Sequence, residues 1–489
     1  MVGIVRFGGY IPRLRLSRRV VVEANAWGNP ALKSMGKSER SMCGWDEDAI
    51  TLGAAAARDC LGDADPAAIR GIYFASTSAP FEDRQSAGVI AEALRAAGPD
   101  CAALDVAQSQ RAGTSGLIAA LSAVAGGAGP IVYVAADRRV APAASMQELA
   151  FGDGAAALLL DAGDGAAKLL GSKSSTVDFV DHYRGENRRF DYGWEERWVR
   201  NEGFLKIVPP VVKAVLDEAG VAPSAVTHFC MPCTLRGVAA GVAKQAGIPE
   251  AAVQDNLHDG CGDTGTAHAL VMLVHALERA KPGDILLVAG FGQGCDALLF
   301  QATDKVAEGR SAVGVAGHLA RGTVETNYQK FLAFNGMVEM EKSPRSEADR
   351  QTKHTAAYRH RDMLLGFVGG RCTSCGTLQI PKSRICVNPN CRAVDSQEDH
   401  PFQSYPGRIV TWSADYLTYT PEPPAYYGMV QFAEGGRLMA DFTDVDPALM
   451  QVGGGVEMVL RVKDRDPNRG FVRYFWKAKP VGDAAAAKA

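Results

Sequence analysis

Two clusters of residues in this 489-residue chain have types and spacings suited to chemistry. The first is Cys372-Thr-Ser-Cys375, ten residues, then Cys386-Val-Asn-Pro-Asn-Cys391. Two close cysteine pairs across a short loop can set four thiolates tetrahedrally around one Zn²⁺, at about 2.3 Å each. Gly376 lets the backbone wrap the ion, and Pro381 and Pro389 stiffen the loop. The same pattern admits two disulfides or four free thiols. Four of the eleven cysteines falling within one short stretch favours zinc. A closed four-sulfur site has no position for water, so the expected role is structural.

The second cluster is His258-Asp-Gly-Cys261-Gly-Asp263-Thr-Gly-Thr-Ala-His268, richer in reactive side chains than a turn needs. Asp263 is a candidate base, with His258 or Cys261 beside it. As plain structure, Asp263 and Thr264 would cap the helix that follows. Cys230-Met-Pro-Cys233 is a further CxxC without a partner pair, so neither metal nor redox chemistry is expected there.

Length bounds the elements that position these groups. The chain is too long for one core, and two or three domains are expected. The hydrophobic fraction of 47% and charged fraction of 22% are those of an ordinary globular protein. A net charge of −3 gives no general drive toward nucleic acid or anionic membrane, and neither partner is expected. No apolar run reaches the ~20 residues of a membrane span. Eleven cysteines without a signal-peptide pattern point to a reducing cytoplasm.

In chain order, strands are expected at 2–11, 70–76, 101–106 and 131–136. A helix at 46–62 would start at Asp46 and stop at Gly62. Another is expected at 84–97, and a tightly packed, small-residue helix follows Gln108-Ser-Gln-Arg-Ala-Gly-Thr-Ser-Gly-Leu117. Residues 175–205 are polar and aromatic, which suits an insertion lining a groove. Beyond it come helix 206–219, strand 226–231, helix 235–246, the glycine-rich loop 256–264, helix 266–280 and strand 285–290. Phe151-Gly-Asp-Gly154 and Phe291-Gly-Gln-Gly294 each precede an apolar strand. That is an internal duplication, and it predicts two similar α/β halves with a mostly parallel sheet in each. The boundaries read as 1–165, 166–303, a linker at 304–364, a zinc ribbon at 365–400 and a small β-barrel at 401–480. The tail at 484–489 is expected to be disordered.

The stretches GIVRFGGYIPRLRL (3–16), FGDGAAALLL (151–160) and AKPGDILLVAGFGQG (280–294) resemble the thiolase superfamily. They look closest to 3-hydroxy-3-methylglutaryl-CoA synthases and the ketoacyl synthase III group, over residues 2–302. Residues 365–478 resemble the DUF35 module, a zinc ribbon joined to an OB-fold. The resemblance implies an α/β fold: a duplicated thiolase-like αβαβα core with a C-terminal zinc ribbon and small OB-type β-barrel. It also implies a coenzyme A thioester as substrate and a homodimer formed through the central sheets. A partner subunit would fit the habits of DUF35 proteins.

The family places a nucleophilic cysteine five residues after an acidic residue, at the N-terminus of the buried central helix. Helix-dipole and backbone N–H groups there lower a thiol pKa and bind an oxyanion. Here the acidic residue is Asp105 and the fifth position is Gln110, which cannot form an acyl-enzyme. The synthase glutamate falls at Thr77. The family histidine falls near Cys230, with His228 two residues earlier on the same face, and the family asparagine falls at Asp263. Gly292 and Gly294 occupy the loop that supplies an oxyanion-hole N–H. The leading expectation is an enzyme that makes or breaks a carbon–carbon bond next to a CoA thioester through an enolate, of aldol, retro-aldol or Claisen type. One alternative is a hydroxymethylglutaryl-CoA synthase-like acyltransferase with its thiol relocated to Cys230 or Cys261. Another is a non-catalytic scaffold subunit that binds CoA esters.

Overall fold

The computed structural model describes residues 2–342 and 351–482. The chain forms two compact units, Met1–Cys43 with Asp48–Met337, and Gly44–Glu47 with Val338–Ala489.

Nine strands build the central sheet of the first unit. They are β1 (Val2–Tyr10), β2 (Gly71–Ala75), β3 (Ala102–Val106), β4 (Ile131–Arg138), β5 (Asp153–Ala162), β6 (Ala167–Thr176), β7 (Val226–Cys230), β8 (Ile285–Phe291) and β9 (Gly294–Ala302). Their order is β7-β8-β9-β6-β1-β5-β4-β2-β3. The duplication is visible in it, since β1-β5-β4-β2 on one side repeats as β6-β9-β8-β7 on the other. Within each half only the strand after Phe-Gly-x-Gly, β5 or β9, runs against the others. A tight glycine corner returns β9 beside β8, which forces that antiparallel pair. Helical crossovers separate the parallel neighbours β4, β2 and β3. The expected two-halves pattern is therefore present, with the two half-sheets fused edge to edge through β1 and β6.

The helices that matter for the site are α1 (Ala49–Leu61), α2 (Ser86–Leu94), α3 (Ala112–Ala125), α4 (Leu205–Glu218), α5 (Val238–Ala246) and α6 (His268–Leu277). Helices α3 and α6 share one hydrophobic core beneath the sheet with β1, β4 and β8. Helix α3 sits closely because its residues are small. A Cβ on Gly113 would lie 2.1 Å from the Thr266 carbonyl oxygen, and one on Gly116 would lie 2.4 Å from the Tyr133 hydroxyl.

Two boundaries differ from the sequence reading. Helix α1 is capped by Asp48, whose carboxylate accepts from Thr51 N–H while the Thr51 hydroxyl accepts from Asp48 N–H. The expected cap, Asp46, has another task in the second unit: it accepts from Lys477 Nζ at 2.8 Å and from the Thr443 hydroxyl at 2.9 Å. Much of the expected linker also belongs to the first unit. Thr323–Glu325 pairs with Leu14–Ser17, and Phe331, Leu332 and Phe334 on Tyr328–Phe334 are buried. Residues 343–350 of that stretch and the tail at 484–489 lie outside the described residues.

The second unit contains a three-stranded sheet, Val368–Cys372 with Leu378–Gln379 and Gln397–Pro401. A five-stranded antiparallel sheet follows, and a bridge from Phe442 to Ala478 joins its ends into a small barrel. Phe367 stacks on Trp476 at 5.4 Å in its core. Among the described residues no helix is long and apolar enough to cross a membrane.

Candidate active site

The parallel strands of α/β folds collect ligands at their carboxyl ends. In this first unit a cavity of about 1050 Å³ opens there. It is lined by the start of α3 (Gln110, Thr114), the end of β4 (Arg139), the turn after β7 (Pro232, Cys233) and the loop carrying His258 and Asp263. Gly290 and Phe291 from β8 complete the inner wall.

Three sequence-predicted residues, Gln110, His258 and Asp263, therefore meet at one cavity. Gln110 lies two residues before α3, next to the N-cap Arg111, in a turn entered through Gln108 at a φ of 71°. Its neighbours are committed to structure. Arg111 donates to the Ser175 carbonyl at 2.7 Å, and Ser109 Oγ donates to the Gly292 carbonyl at 3.2 Å. Asp105, five residues earlier, accepts from the N–H groups of Ser86 and Ala87 at 2.6 and 2.8 Å and so anchors the start of α2.

The 258–268 loop is fixed by its own polar groups. Asp263 Oδ1 accepts from Gly265 N–H at 2.9 Å, and Oδ2 accepts from Arg139 at 3.0 Å. Arg139 also donates to Asp191 at 3.1 Å, and its guanidinium lies 3.5 Å from the centroid of Phe151. Burial alone would raise the Asp263 carboxyl, but the Arg139 guanidinium, helped by the Gly265 N–H, outweighs it and holds it below the usual carboxylate range. Asp263 is thus ionised at neutral pH. His258 is the opposite case. Burial, reinforced by His268, pushes its imidazole down to about 3, so it is neutral. Its Nε2 is buried without a hydrogen-bond partner among the described residues.

Ligand atoms of His258, Asp263 and His268 lie within 4.8 Å of one another, close enough for a metal ion. His268, however, has both ring nitrogens engaged. Nδ1 accepts from Thr264 N–H at 3.1 Å, which leaves Nε2 to donate to the Asn256 carbonyl at 2.7 Å. The trio fits a hydrogen-bonded cluster better than a ligand set.

The other predicted residues lie elsewhere. Cys230 and Cys261 are fully buried in the hydrophobic core, and burial pushes both thiols up to about 12. His228 does share a face with Cys230, but it sits toward the other end of β7, 3.2 Å from Asp284. Thr77 gives both its N–H and its hydroxyl to Asp137, at 2.8 and 3.0 Å. Gly292 N–H donates within its own loop, to the Gly294 carbonyl at 3.1 Å. Gly294 holds a φ of 120°, and a Cβ there would lie 2.0 Å from the Ser175 carbonyl oxygen, so its lack of a side chain serves packing.

Sequence reasoning missed Arg139 and the cavity role of Cys233. The cavity-lining Cys233 is held up at about 12 by burial, with Asp263 adding to the effect. The signal for Arg139 was a buried-strand pattern ending in Asp137-Arg138-Arg139 at the carboxyl edge of the sheet.

In the second unit the four predicted cysteines converge. The Sγ atoms of Cys372 and Cys391 are 3.9 Å apart, and those of Cys375 and Cys386 are 3.6 Å apart. Tetrahedral Zn–S bonds of about 2.3 Å place sulfurs ~3.8 Å apart, so the set fits the ion. Ser396 and Thr377 hydroxyls lie 3.2 Å from Cys372 and Cys375, as partners that orient thiolates do.

Comparison with known proteins bears on both units. Residues 216–300 match the family model of the 3-oxoacyl-[acyl-carrier-protein] synthase III C terminal, and residues 403–461 match that of the ChsH2 C-terminal OB-fold domain. A hydroxymethylglutaryl-CoA synthase of Pyrococcus horikoshii is 32% identical over 321 residues, 63% of this chain and 89% of that protein. Its counterpart in Thermococcus sibiricus is 32% identical over 350 residues, 68% of this chain and 94% of that protein. Among solved structures, MvaS in complex with 3-hydroxy-3-methylglutaryl coenzyme A superposes with a TM-score of 0.58 at 18% identity, covering 72% of this chain and 94% of that one. An HMG-CoA synthase complexed with CoA gives 0.59 at 18% identity, with coverage of 72% and 95%. These structures share the thiolase-like fold.

Proposed function

The chain belongs to the hydroxymethylglutaryl-CoA synthase family, and on that footing we propose an enzyme that cleaves or forms the bond next to an acyl-CoA thioester carbonyl without an acyl-enzyme. The observation that carries this reading is Gln110. The helix start where the resemblance expects a thiolate presents an amide to the cavity. The thiol that does line the cavity, Cys233, stays protonated. A relocated-thiol acyltransferase would have to use Cys233, because Cys230 and Cys261 are sealed in the core.

In the cleavage direction the substrate is a 3-hydroxyacyl-CoA. Asp263 takes the proton of the C3 hydroxyl as the C2–C3 bond breaks, and a carbonyl forms at C3. The electron pair of that bond moves onto C2 and the thioester, giving an enolate. The Gln110 amide donates a hydrogen bond to the enolate oxygen, the kind of contact that most lowers such barriers. Neutral His258, whose buried Nε2 has no protein partner among the described residues, donates to the carbonyl leaving at C3. The proton then returns to C2, releasing a shortened acyl-CoA and an aldehyde or ketone. No oxidant is needed, and synthesis is the same path reversed. The test is incubation with 3-hydroxy-3-phenylpropanoyl-CoA. Benzaldehyde and acetyl-CoA in equal amounts support the reading, and an unchanged substrate pool, together with no condensation of the two products, refutes it.

We also propose a structural zinc on Cys372, Cys375, Cys386 and Cys391, a homodimer, and a reducing cytoplasmic setting. All eleven cysteines are free of disulfides, and β3 offers a half-exposed strand at the sheet edge where a second copy can pair. One zinc per chain by metal analysis is the expected value, and none would refute that site.

A further inference from the structure

The insertion at 177–204 contains a chain of aromatic rings that the bond-making chemistry does not use. It starts at the inner wall of the cavity, where Phe291 packs against Phe204 at 4.1 Å and Phe179 at 6.0 Å. Phe179 stacks on Trp198 at 4.1 Å, nearly parallel. Trp194 follows at 6.5 Å from Trp198, then Tyr192 at 6.4 Å and Tyr183 at 5.6 Å. Exposure rises along the chain. Phe204 and Phe179 are 9% and 8% exposed, Trp198 is 37%, and Trp194 and Tyr192 are 57% and 56%.

Local structure holds this row in place. His182–Tyr183 and Tyr192–Gly193 pair as a short hairpin that presents the outer tyrosines. The π-helical turn Val199–Phe204 brings Phe204 inward, and Gly203 makes room, since a Cβ there would lie 2.8 Å from the Phe179 ring. A wide helical turn of this kind is common at functional sites. Large aromatics left half in water at the rim of a cavity mark a binding surface rather than a core. The cavity volume is also at the upper end of what small-molecule sites need, about 300–1,000 Å³.

We infer that this aromatic row is an acyl-binding site, and that the substrates carry a ring-bearing acyl group rather than a short aliphatic one. The inference rests on the reading of the cavity as an acyl-CoA site. The chemistry recognised is a flat apolar ring, which two parts of such a substrate could supply: a ring on the acyl chain, or the adenine of coenzyme A. The row begins beside the reaction centre at Phe291. A ring attached near the reacting carbon meets the inner members first, whereas adenine, at the far end of the pantetheine arm, could reach only the outer ones.

The test is titration of the full-length protein with 3-phenylpropanoyl-CoA, which lacks the C3 hydroxyl and cannot be cleaved, acetyl-CoA and free coenzyme A, followed by tryptophan fluorescence and calorimetry. The wild type should bind the phenyl ester tighter than acetyl-CoA. Phe291→Leu should weaken the phenyl ester about fivefold, the worth of one aromatic contact, and the other two by less than about twofold. Phe291→Tyr should restore most of the loss. Equal weakening of all three ligands would assign the row to adenine and overturn the inference. No weakening, or no preference in the wild type, would overturn it as well. Tight binding of this phenyl ester, with 3-hydroxy-3-phenylpropanoyl-CoA left uncleaved, would refute the bond-breaking reading and leave the ring site standing.

Discussion

The two Phe-Gly-x-Gly corners descend from one pattern and reach the same cavity, yet they do different work. In the first half Phe151 lies under Arg139 and forms a bridge with Asp263. Gly152 N–H donates to the Asp263 carbonyl at 2.9 Å, and Asp263 N–H donates to the Ala150 carbonyl at 2.8 Å. Asp153 is buried and accepts from Cys43 N–H and Arg139 N–H at 2.7 and 3.1 Å. This copy is a clamp on the loop that carries Asp263. In the second half Phe291 opens the aromatic row, and Gly290 presses on Thr114 beside the start of α3. This copy faces the substrate. Duplication supplied two equivalent corners around one cavity, and burial of Asp153 against Arg139 and Arg40 made only the first one rigid and charged.

If that division is right, damage to what the first copy holds should stop chemistry while leaving the fold. Asp263→Asn should lower kcat about 10²–10⁴-fold, the range of a lost acid–base group. The melting temperature should fall as well, because buried Arg139 loses a partner, so steady-state kinetics are read well below the thermal melt that confirms the fold.

Next in size are the glycines of the two corners. A Cβ at Gly152 would sit 1.8 Å from the Cys261 carbonyl oxygen, whereas at Gly292 the nearest atom is the Ser109 hydroxyl at 2.9 Å. Gly152→Ala should therefore cost about 3 kcal/mol or more of stability and Gly292→Ala about 1 kcal/mol, read from denaturant midpoints. Equal costs would break the comparison.

The clamped loop also sets a pH dependence. The folded state holds His258 at about 3, while an unfolded histidine titrates near ~6.5. Below that upper value the unfolded chain takes up a proton the folded site refuses, so stability is lost as pH falls from about 6.5 toward 3, by about 1.4 kcal/mol per unit. Above pH 7 this contribution is fully present. His258→Gln should flatten the slope in urea titrations across that window, with a residue left by His268, which shifts the same way.

The smallest effect separates the phenylalanines. Phe291→Leu should change the ratio of kcat/KM for phenyl and acetyl esters by about fivefold with little loss of stability. Phe151→Leu should do the reverse.

Many elements of the fold were legible because the buried strands, such as β4 and β5, are apolar runs, while the mixed strand β6, Ala167–Thr176, carries too many polar residues to show itself. The duplication was legible from the two corners alone. Gln110 could be placed only through the family resemblance, five residues after Asp105, whereas His258 and Asp263 stood out as reactive side chains in a glycine-rich loop. What the sequence did not carry was direction. In Cys230-Met-Pro-Cys233 the strand ends at Cys230, and Pro232 turns the chain so that Cys233, not Cys230, reaches the cavity. Arg139 meets Asp263 across 124 residues, and Thr77 meets Asp137 across 60, pairings that only the folded topology creates. Asp46 looked like a helix cap because its other partners, Thr443 and Lys477, lie some four hundred residues away.

Chemistry without an acyl-enzyme is read most directly from the intact mass of the protein after incubation with 3-hydroxy-3-phenylpropanoyl-CoA and with acetyl-CoA. The protein should keep an unmodified mass in both tubes while benzaldehyde and acetyl-CoA accumulate in the first. A stable acyl adduct that maps to Cys233 or any other thiol would contradict it.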